Sequence, residues 1–353
     1  MPLDLGTICN TRVAREKLWN GANRDKNAYN RGIPTADLFL QNQAVRWSPE
    51  LKDLTKCKPM DAYWARICDN TPLGDCSDIA CTISYPARIT GQHETYDRNF
   101  CHTDGFSIAD DECKNEIDLR EKMVMEQENI FRKFREKANR QVIAALDSNF
   151  TAPVMPAGLP SWITVTGGGV IQIPAAFFTH DLMVYLNTIA EYNDITMPHL
   201  VSGSTFYHNV KNSQFNQLNA NQKDEAAKFG QMPISWDIRY LDQMFSGTPT
   251  MFLADLGGFG FFNSYQYTNP TPEKFSSKEG SSVYSISDMR LSWNDNGTIK
   301  PVMYDVFVQE ECQVINGLRK LKWNFEFKFA GGIHFSPADC NGGNGILKIE
   351  MIP

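Results

Sequence analysis

The residues that could do chemistry are six histidines, nine cysteines and two glycine runs. His93, His102, His180, His199, His208 and His334 contain no HExxH pair, and no serine sits in a GxSxG turn. His199 and His208 flank VSGSTFY, where a Ser–His pair can be drawn on proximity in sequence alone. Cys101, His102 and His93 outline a zinc site on paper, but no CxxC spacing accompanies them. The odd cysteine count argues against a closed set of intrachain disulfides. Six cysteines (Cys57, Cys68, Cys76, Cys81, Cys101 and Cys113) crowd one segment at irregular spacing. Reduced structural thiols are the favoured reading, ahead of a metal site or assembly-linked disulfides. Gly167–Gly168–Gly169 runs into Val170–Ile171–Gln172–Ile173, and GGFGFF from Gly257 runs into further strand-like residues. Neither opens a helix carrying Lys–Ser/Thr, so both read as turns rather than phosphate cradles. Asn149–Phe150–Thr151 and Asn296–Gly297–Thr298 match the glycosylation sequon and are taken as chance. No enzyme, metal or cofactor is expected.

One positive patch stands out. RKFREKANR places Arg132, Lys133, Arg135, Lys137 and Arg140 close together. On a helix some of them could line one side and touch phosphates. The blander reading, a solvated face suited to the negative end of a helix, is the stronger of the two. A net charge of −7 and a pI near 5.5 disfavour a mainly electrostatic nucleic-acid binder. No apolar run approaches a membrane span. The opening MPLDLGTICNTR has an early acid and no apolar block, so no secretory leader is expected.

The element that carries the patch is the longest in the chain. No glycine or proline interrupts residues 111–149, and Asp110, Asp111 and Glu112 suit a helix N-terminus. Apolar residues recur at Ile117, Val124, Phe131, Phe134, Ala138, Val142 and Ala145, the spacing of one helical face. About 30 to 35 residues make a rod on the order of 50 Å, too long for one small core to bury. Something must lie along it.

Around that rod the chain reads as follows. Residues 1–51 are polar with no sustained period, an arm needing support from elsewhere. Residues 52–110 read as extended structure with turns at Pro72–Gly74 and Gly91, too poor in apolar residues to make a core. TAPVMPAGLP marks a boundary, and ITVTGGGVIQIP a short hairpin. HDLMVYLNTIAEYND is a second amphipathic helix with Leu182, Val184, Tyr185, Ile189 and Tyr192 as its apolar positions. MPHLVSGSTFYHNVKN is a strand, turn and helix, and the polar run NSQFNQLNANQKDEAAKFGQ connects it to a β-rich remainder from ISWDIRYLDQM. Asn296–Gly297 between alternating segments predicts a type I′ hairpin. LKWNFEFKFAGGIHF alternates from Trp323 to Phe329, and GILKIEMIP closes the chain as a strand.

This order of parts resembles the major capsid proteins of tailed bacteriophages, whose shell fold also forms the herpesvirus capsid floor. The resemblance spans nearly the whole chain and rests on the succession of elements, not on invariant residues. It implies an α+β fold with an N-terminal arm (1–51), an extended β-loop (52–110) and a spine helix (111–149). A peripheral domain (150–230), an axial domain (231–330) and a return strand of the peripheral domain (331–353) would follow. It further implies hexamers and pentamers in an icosahedral shell around double-stranded DNA, assembled in the host cytoplasm. Partners would be copies of the chain, scaffold, portal and decoration proteins, with DNA contacted non-specifically at most and no membrane. Arg132, Lys133, Arg135, Lys137 and Arg140 would then be a genome-facing patch. The alternative within the same physics is a cargo-loading nanocompartment shell or another virion component. No cross-linking residue pair is recognisable.

Overall fold

The computed structural model describes residues 32–47, 60–67, 89–96, 98–109, 116–178, 182–217, 232–265, 281–315, 318–336 and 343–353. Most of the expected arm, the turn at Pro72–Gly74 and the acidic start at Asp110–Glu112 lie outside them.

The first described element is a helix that the arm's polar composition conceals. α1 (Pro34–Asn42) starts with proline in its first turn, where a missing N–H costs nothing, and buries Ala36, Phe39 and Leu40. It is followed by β1 (Arg46–Trp47), β2 (Met60–Ile67) and β3 (Ile89–Tyr96), a three-stranded sheet in the order β1-β2-β3. Gly91 is not a turn: it pairs with Ala65 inside the β2–β3 ladder. β4 (Phe100–Ala109) leaves this ribbon and pairs antiparallel with a late strand.

The long helix is α2 (Glu116–Asn149), 34 residues and therefore about 50 Å. Val124, Phe131, Phe134, Ala138 and Val142 are buried as the spacing requires, joined by Ile130, Ile143 and Leu146. Its basic cluster is not a C-terminal device. The last turn contains no basic residue, and the cluster ends more than two turns before Asn149. The macrodipole therefore does not explain it.

What lies along the rod is a five-stranded sheet. β10 (Phe259–Ser264), β13 (Leu318–Phe335), β12 (Thr298–Ile315) and β11 (Ser281–Asp295) form its path, with β4 also paired to β13. Alternation puts Phe325, Phe327 and Phe329 on the helix side. Phe131 and Phe134 meet Tyr304 at centroid distances of 4.8 and 5.2 Å. Phe134 and Phe329 lie 5.8 Å apart. The β11–β12 turn is the predicted one: Asn296 and Gly297 have φ of 53° and 89°, and Asp295 pairs with Thr298. At Gly105 in β4 an added Cβ would stand 2.3 Å from the Phe325 carbonyl, so only glycine fits there.

The second layer is a six-stranded mixed sheet, β5-β6-β14-β9-β7-β8. It comprises β5 (Thr164–Val165), β6 (Ile171–Pro174), β7 (Pro198–Ser202), β8 (Ile234–Trp236), β9 (Thr250–Asp255) and β14 (Ile346–Ile352). α3 (Leu182–Tyr192) and α4 (Ser204–Gln217) accompany it. Leu182, Leu186, Ile189, Phe206, Leu253 and Ile349 share its separate core. The buried face of α3 is Leu182, Met183, Leu186, Ile189 and Ala190, whereas Val184 and Tyr192 are exposed.

The division near residue 231 falls inside one sheet, because β8 pairs parallel with β7 across the polar run. The polar run begins within α4, and residues 218–231 lie outside the described residues. The β-rich remainder opens with the short strand β8. After β8 it turns into α5 (Ile238–Met244), whose N-terminus is capped by the Asp237 carboxylate accepting from the Tyr240 N–H. The chain then crosses from β9 to β10 through the short turn Leu256–Gly258, returning to the long helix and its sheet. Its last strand, β14, goes back between β6 and β9.

Candidate functional site: the face and the buried charges of the long helix

The five basic residues divide by helical geometry. Lys133, Lys137 and Arg140 fall within about 60° of one another around the axis, with Arg132 at the side of that stripe and Arg135 opposite it. Lys133 and Lys137 are exposed and Arg132 and Arg140 half-buried. Arg132 donates to Asn129 Oδ1 at 2.9 Å and to Glu136 Oε1 at 3.2 Å. Lys133 pairs with Asp104 on β4 at 2.7 Å. Arg140 donates to Gln243 and lies over the Tyr240 ring, 5.3 Å from its centroid.

Arg135 cannot face a genome. It is 4% exposed and points into the sheet, where its guanidinium holds both oxygens of Asp288 at 3.0 and 2.9 Å. Glu128 approaches its other nitrogen at 3.9 Å. The Tyr304 hydroxyl donates to Asp288 Oδ2 at 3.1 Å, and the Arg290 N–H donates to Oδ1 at 3.0 Å. Burial, followed by the Asp288 charge, raises the Tyr304 phenol well above its ordinary range. The Asp288 carboxylate is well satisfied, whereas among the described residues Arg135 Nη2 is buried without a hydrogen bond, so this cluster fixes how the helix sits on the sheet more than it adds stability.

α1 closes over this pair. Burial pushes the Asp37 carboxyl up to about 6, against the attraction of Arg135 and with added repulsion from Asp288. Beside it, Asp237 is 1% exposed and accepts from Thr35 Oγ1 at 2.7 Å, Asn139 Nδ2 at 2.6 Å and the Tyr240 N–H at 3.2 Å. Asn139 Oδ1 in turn accepts the Ala36 N–H at 2.8 Å. One carboxylate thus ties α1, α2 and α5 together. The sequence signals for this node were the Pro34 helix start with Ala36, Phe39 and Leu40 at helical spacing, and Asp237 at a capping distance from Tyr240.

The other sequence candidates do not assemble into a site. Cys101 and His102 are adjacent in β4, so their side chains leave on opposite faces and cannot share one ion. The side chain of His93 lies outside the described residues. Among the described residues no group of three or more His, Cys, Asp or Glu side chains could hold a metal. His208 is exposed on α4, and Ser204 begins that helix with its N–H donated to Asp242 at 3.0 Å. His199 instead meets Ser235, Nε2 to Oγ at 3.0 Å. This is not a nucleophile and its base. Burial pushes the His199 imidazole down to about 4, and among the described residues its buried Nδ1 has no hydrogen-bond partner. A bare lone pair at Nδ1 costs less than a stranded N–H, so the proton sits on Nε2 and is donated to Ser235. The glycine runs are turns, between β5 and β6 and between β9 and β10.

No family model matches this chain. No curated protein matches it either. Solved structures do resemble it along most of its length. One from Mycobacterium phage Che8 is 10% identical, covers 88% of this chain and 90% of its own, and has a TM-score of 0.43. The mature capsid of bacteriophage PhiM1 is 8% identical, with 83% of each chain covered and a TM-score of 0.40. One from Mycobacterium phage Adephagia is 10% identical, with 97% of each chain covered and a TM-score of 0.39.

Proposed function

We propose that this chain is the major shell protein of a tailed bacteriophage, with a structural rather than enzymatic role. Copies assemble as hexamers and pentamers into an icosahedral capsid around double-stranded DNA. The observation that carries this reading is the succession of elements in the chain itself. A small three-stranded sheet and then β4 lead into one 34-residue helix backed by a long-stranded sheet, and a second sheet module follows that the last strand re-enters. Among the described residues, β2 and β3 hydrogen-bond in sheet only to each other and to β1. One end of this small sheet packs on the chain's main core through Trp47, Ala62 and Tyr96, and in this reading neighbouring subunits in a shell support the rest of it. Heterologous contacts that close into rings are the interface this requires.

In this reading residues 1–51 are the arm, 52–110 the extended loop and 111–149 the spine. In the bounds the resemblance implies, residues 150–230 are the peripheral domain, 231–330 the axial domain and 331–353 the return strand of the peripheral domain. Scaffold, portal and decoration proteins are the further partners, and the virion, assembled in the host cytoplasm, is the location. Electron microscopy of the purified native material, with mass from light scattering, tests the proposal. Closed shells of uniform diameter are expected. A uniform 40.0 kDa particle that forms no shells would overturn it.

A further inference from the structure

The exposed side of the long helix does not end at the helix. Glu136 receives Arg132 at 3.2 Å and, from α5, Arg239 at 3.7 Å, so α5 lies alongside the same stripe. Arg239 also covers the Tyr240 ring at 5.2 Å, as Arg140 does at 5.3 Å. Tyr240 is 1% exposed, so both guanidinia rest on a fixed aromatic base. The sequence separates Arg140 and Arg239 widely, and only the fold makes them neighbours.

Distances decide which of these charges remain available. Lys133 is held by Asp104 at 2.7 Å and Arg132 by Glu136 at 3.2 Å. Arg239 is only loosely engaged by the same carboxylate at 3.7 Å, and Arg140 is met by an amide and a ring. Lys137 is exposed, and among the described residues no carboxylate pairs with it. Three cations without close carboxylate partners among those residues thus lie on one surface of a chain whose net charge is −7. That concentration against the overall sign is charge complementarity to a polyanion.

We infer that Lys137, Arg140 and Arg239 form a face for the phosphate backbone of duplex nucleic acid, read without sequence preference. The inference rests on the shell reading only for naming that nucleic acid as the packaged genome. Guanidinia stacked on a buried ring lose little freedom when they bind phosphate, and the ammonium of Lys137 adds a point charge. Each phosphate neutralised contributes a slope of about −0.9 to log K against log salt, so three give about −2.7.

The test uses the purified full-length protein before assembly and a short mixed-sequence DNA duplex, with binding read by fluorescence anisotropy over a salt series. The Lys137→Gln/Arg140→Gln/Arg239→Gln variant should lose about 2.7 from the slope. Over a roughly fourfold rise in salt, wild type would then weaken about 40-fold more than the variant. Lys300→Gln/Lys322→Gln/Lys328→Gln removes the same charge from other surfaces and should change the slope by less than one. Because Arg140 and Arg239 pack on Tyr240, Lys137→Gln alone is measured too, with an expected loss of about 0.9. Equal slopes for wild type and the first two variants, equal losses in both triples, or no binding by wild type would each overturn the phosphate face. Shell formation is followed separately by light scattering. Shells with an unaltered slope refute the face alone, and a reduced slope without shells refutes the shell reading alone.

Discussion

Replacing Asp37 by asparagine probes the contact between α1 and the buried Arg135–Asp288 pair. In the folded chain this carboxyl titrates at about 6 instead of 3.8, because burial outweighs the attraction of Arg135. Between those two values the folded state binds a proton that the unfolded state has released. Stability therefore falls as pH rises through this window. The contribution of neutral Asp37 is complete below the unfolded value and gone above the folded one. The rise corresponds to about 3 kcal/mol at pH 7.5, and solvent at the rim of the half-buried side chain reduces that to about 1–3 kcal/mol. An asparagine amide cannot ionise, so Asp37→Asn should be more stable than wild type by that amount at pH 7.5. Near pH 4 the two should nearly coincide. Urea unfolding of the unassembled subunit at several pH values measures this, with the midpoint moving and the m-value constant. If Asp37→Asn were less stable than wild type at pH 7.5, Arg135 would be stabilising the ionised carboxylate, and the dominance of burial would be wrong.

Further perturbations test the rest of the framework. Asp288→Ala strands the Arg135 cation in the core and should cost about 3–5 kcal/mol, whereas the double replacement Arg135→Met/Asp288→Leu should cost much less than two single losses. Urea midpoints of Arg135→Met, Asp288→Leu and their double variant decide it, and additive costs would refute the pairing. Phe131→Ala, between Tyr304 and Phe327, should cost about 3–5 kcal/mol by the same measurement. Asp237→Ala removes the acceptor of three hydrogen bonds and should cost about 2–4 kcal/mol, accompanied by faster hydrogen exchange of the Tyr240 amide. Ser235 should remain unlabelled by a fluorophosphonate probe at pH 7.5, since the His199 proton lies on the nitrogen facing it; stoichiometric labelling would contradict that tautomer.

The long helix, the Asn296–Gly297 hairpin and the alternation through Phe325, Phe327 and Phe329 were legible because each rests on local chemistry: unbroken periodicity, paired positive φ, and period-two burial. The module boundary was not. A polar run rich in asparagine and glutamine reads as a break in the sequence, and nothing in its composition records that β8 pairs with β7. Exposure of Val184 and Tyr192 on α3 was hidden for a related reason. A helix with apolar residues on several sides, flanked by a sheet, does not disclose which side the sheet takes.

Arg135 is the instructive case within the candidate site. Five cations within nine residues invite a reading by composition, and composition treats them alike. Helical phase alone places Arg135 opposite Lys133 and Lys137, on the side that Phe131, Phe134 and Ala138 occupy. A cation on an apolar face demands a buried anion, and the sequence offered no means of choosing among 41 acidic residues. Asp288 supplies it from β11, at a point where the β11–β12 register shifts between Asp288 and Ser292. That irregularity turns Asp288 Oδ1 toward the Arg290 N–H and leaves both oxygens for the guanidinium. A strand irregularity thus sets the partner of a helix charge, and that charge in turn sets how much Asp37 costs when α1 docks. The same helix therefore carries two kinds of basic residue. Arg135 on Asp288 and Lys133 on Asp104 hold the helix to its sheet, whereas Lys137 and Arg140 have no carboxylate partner among the described residues.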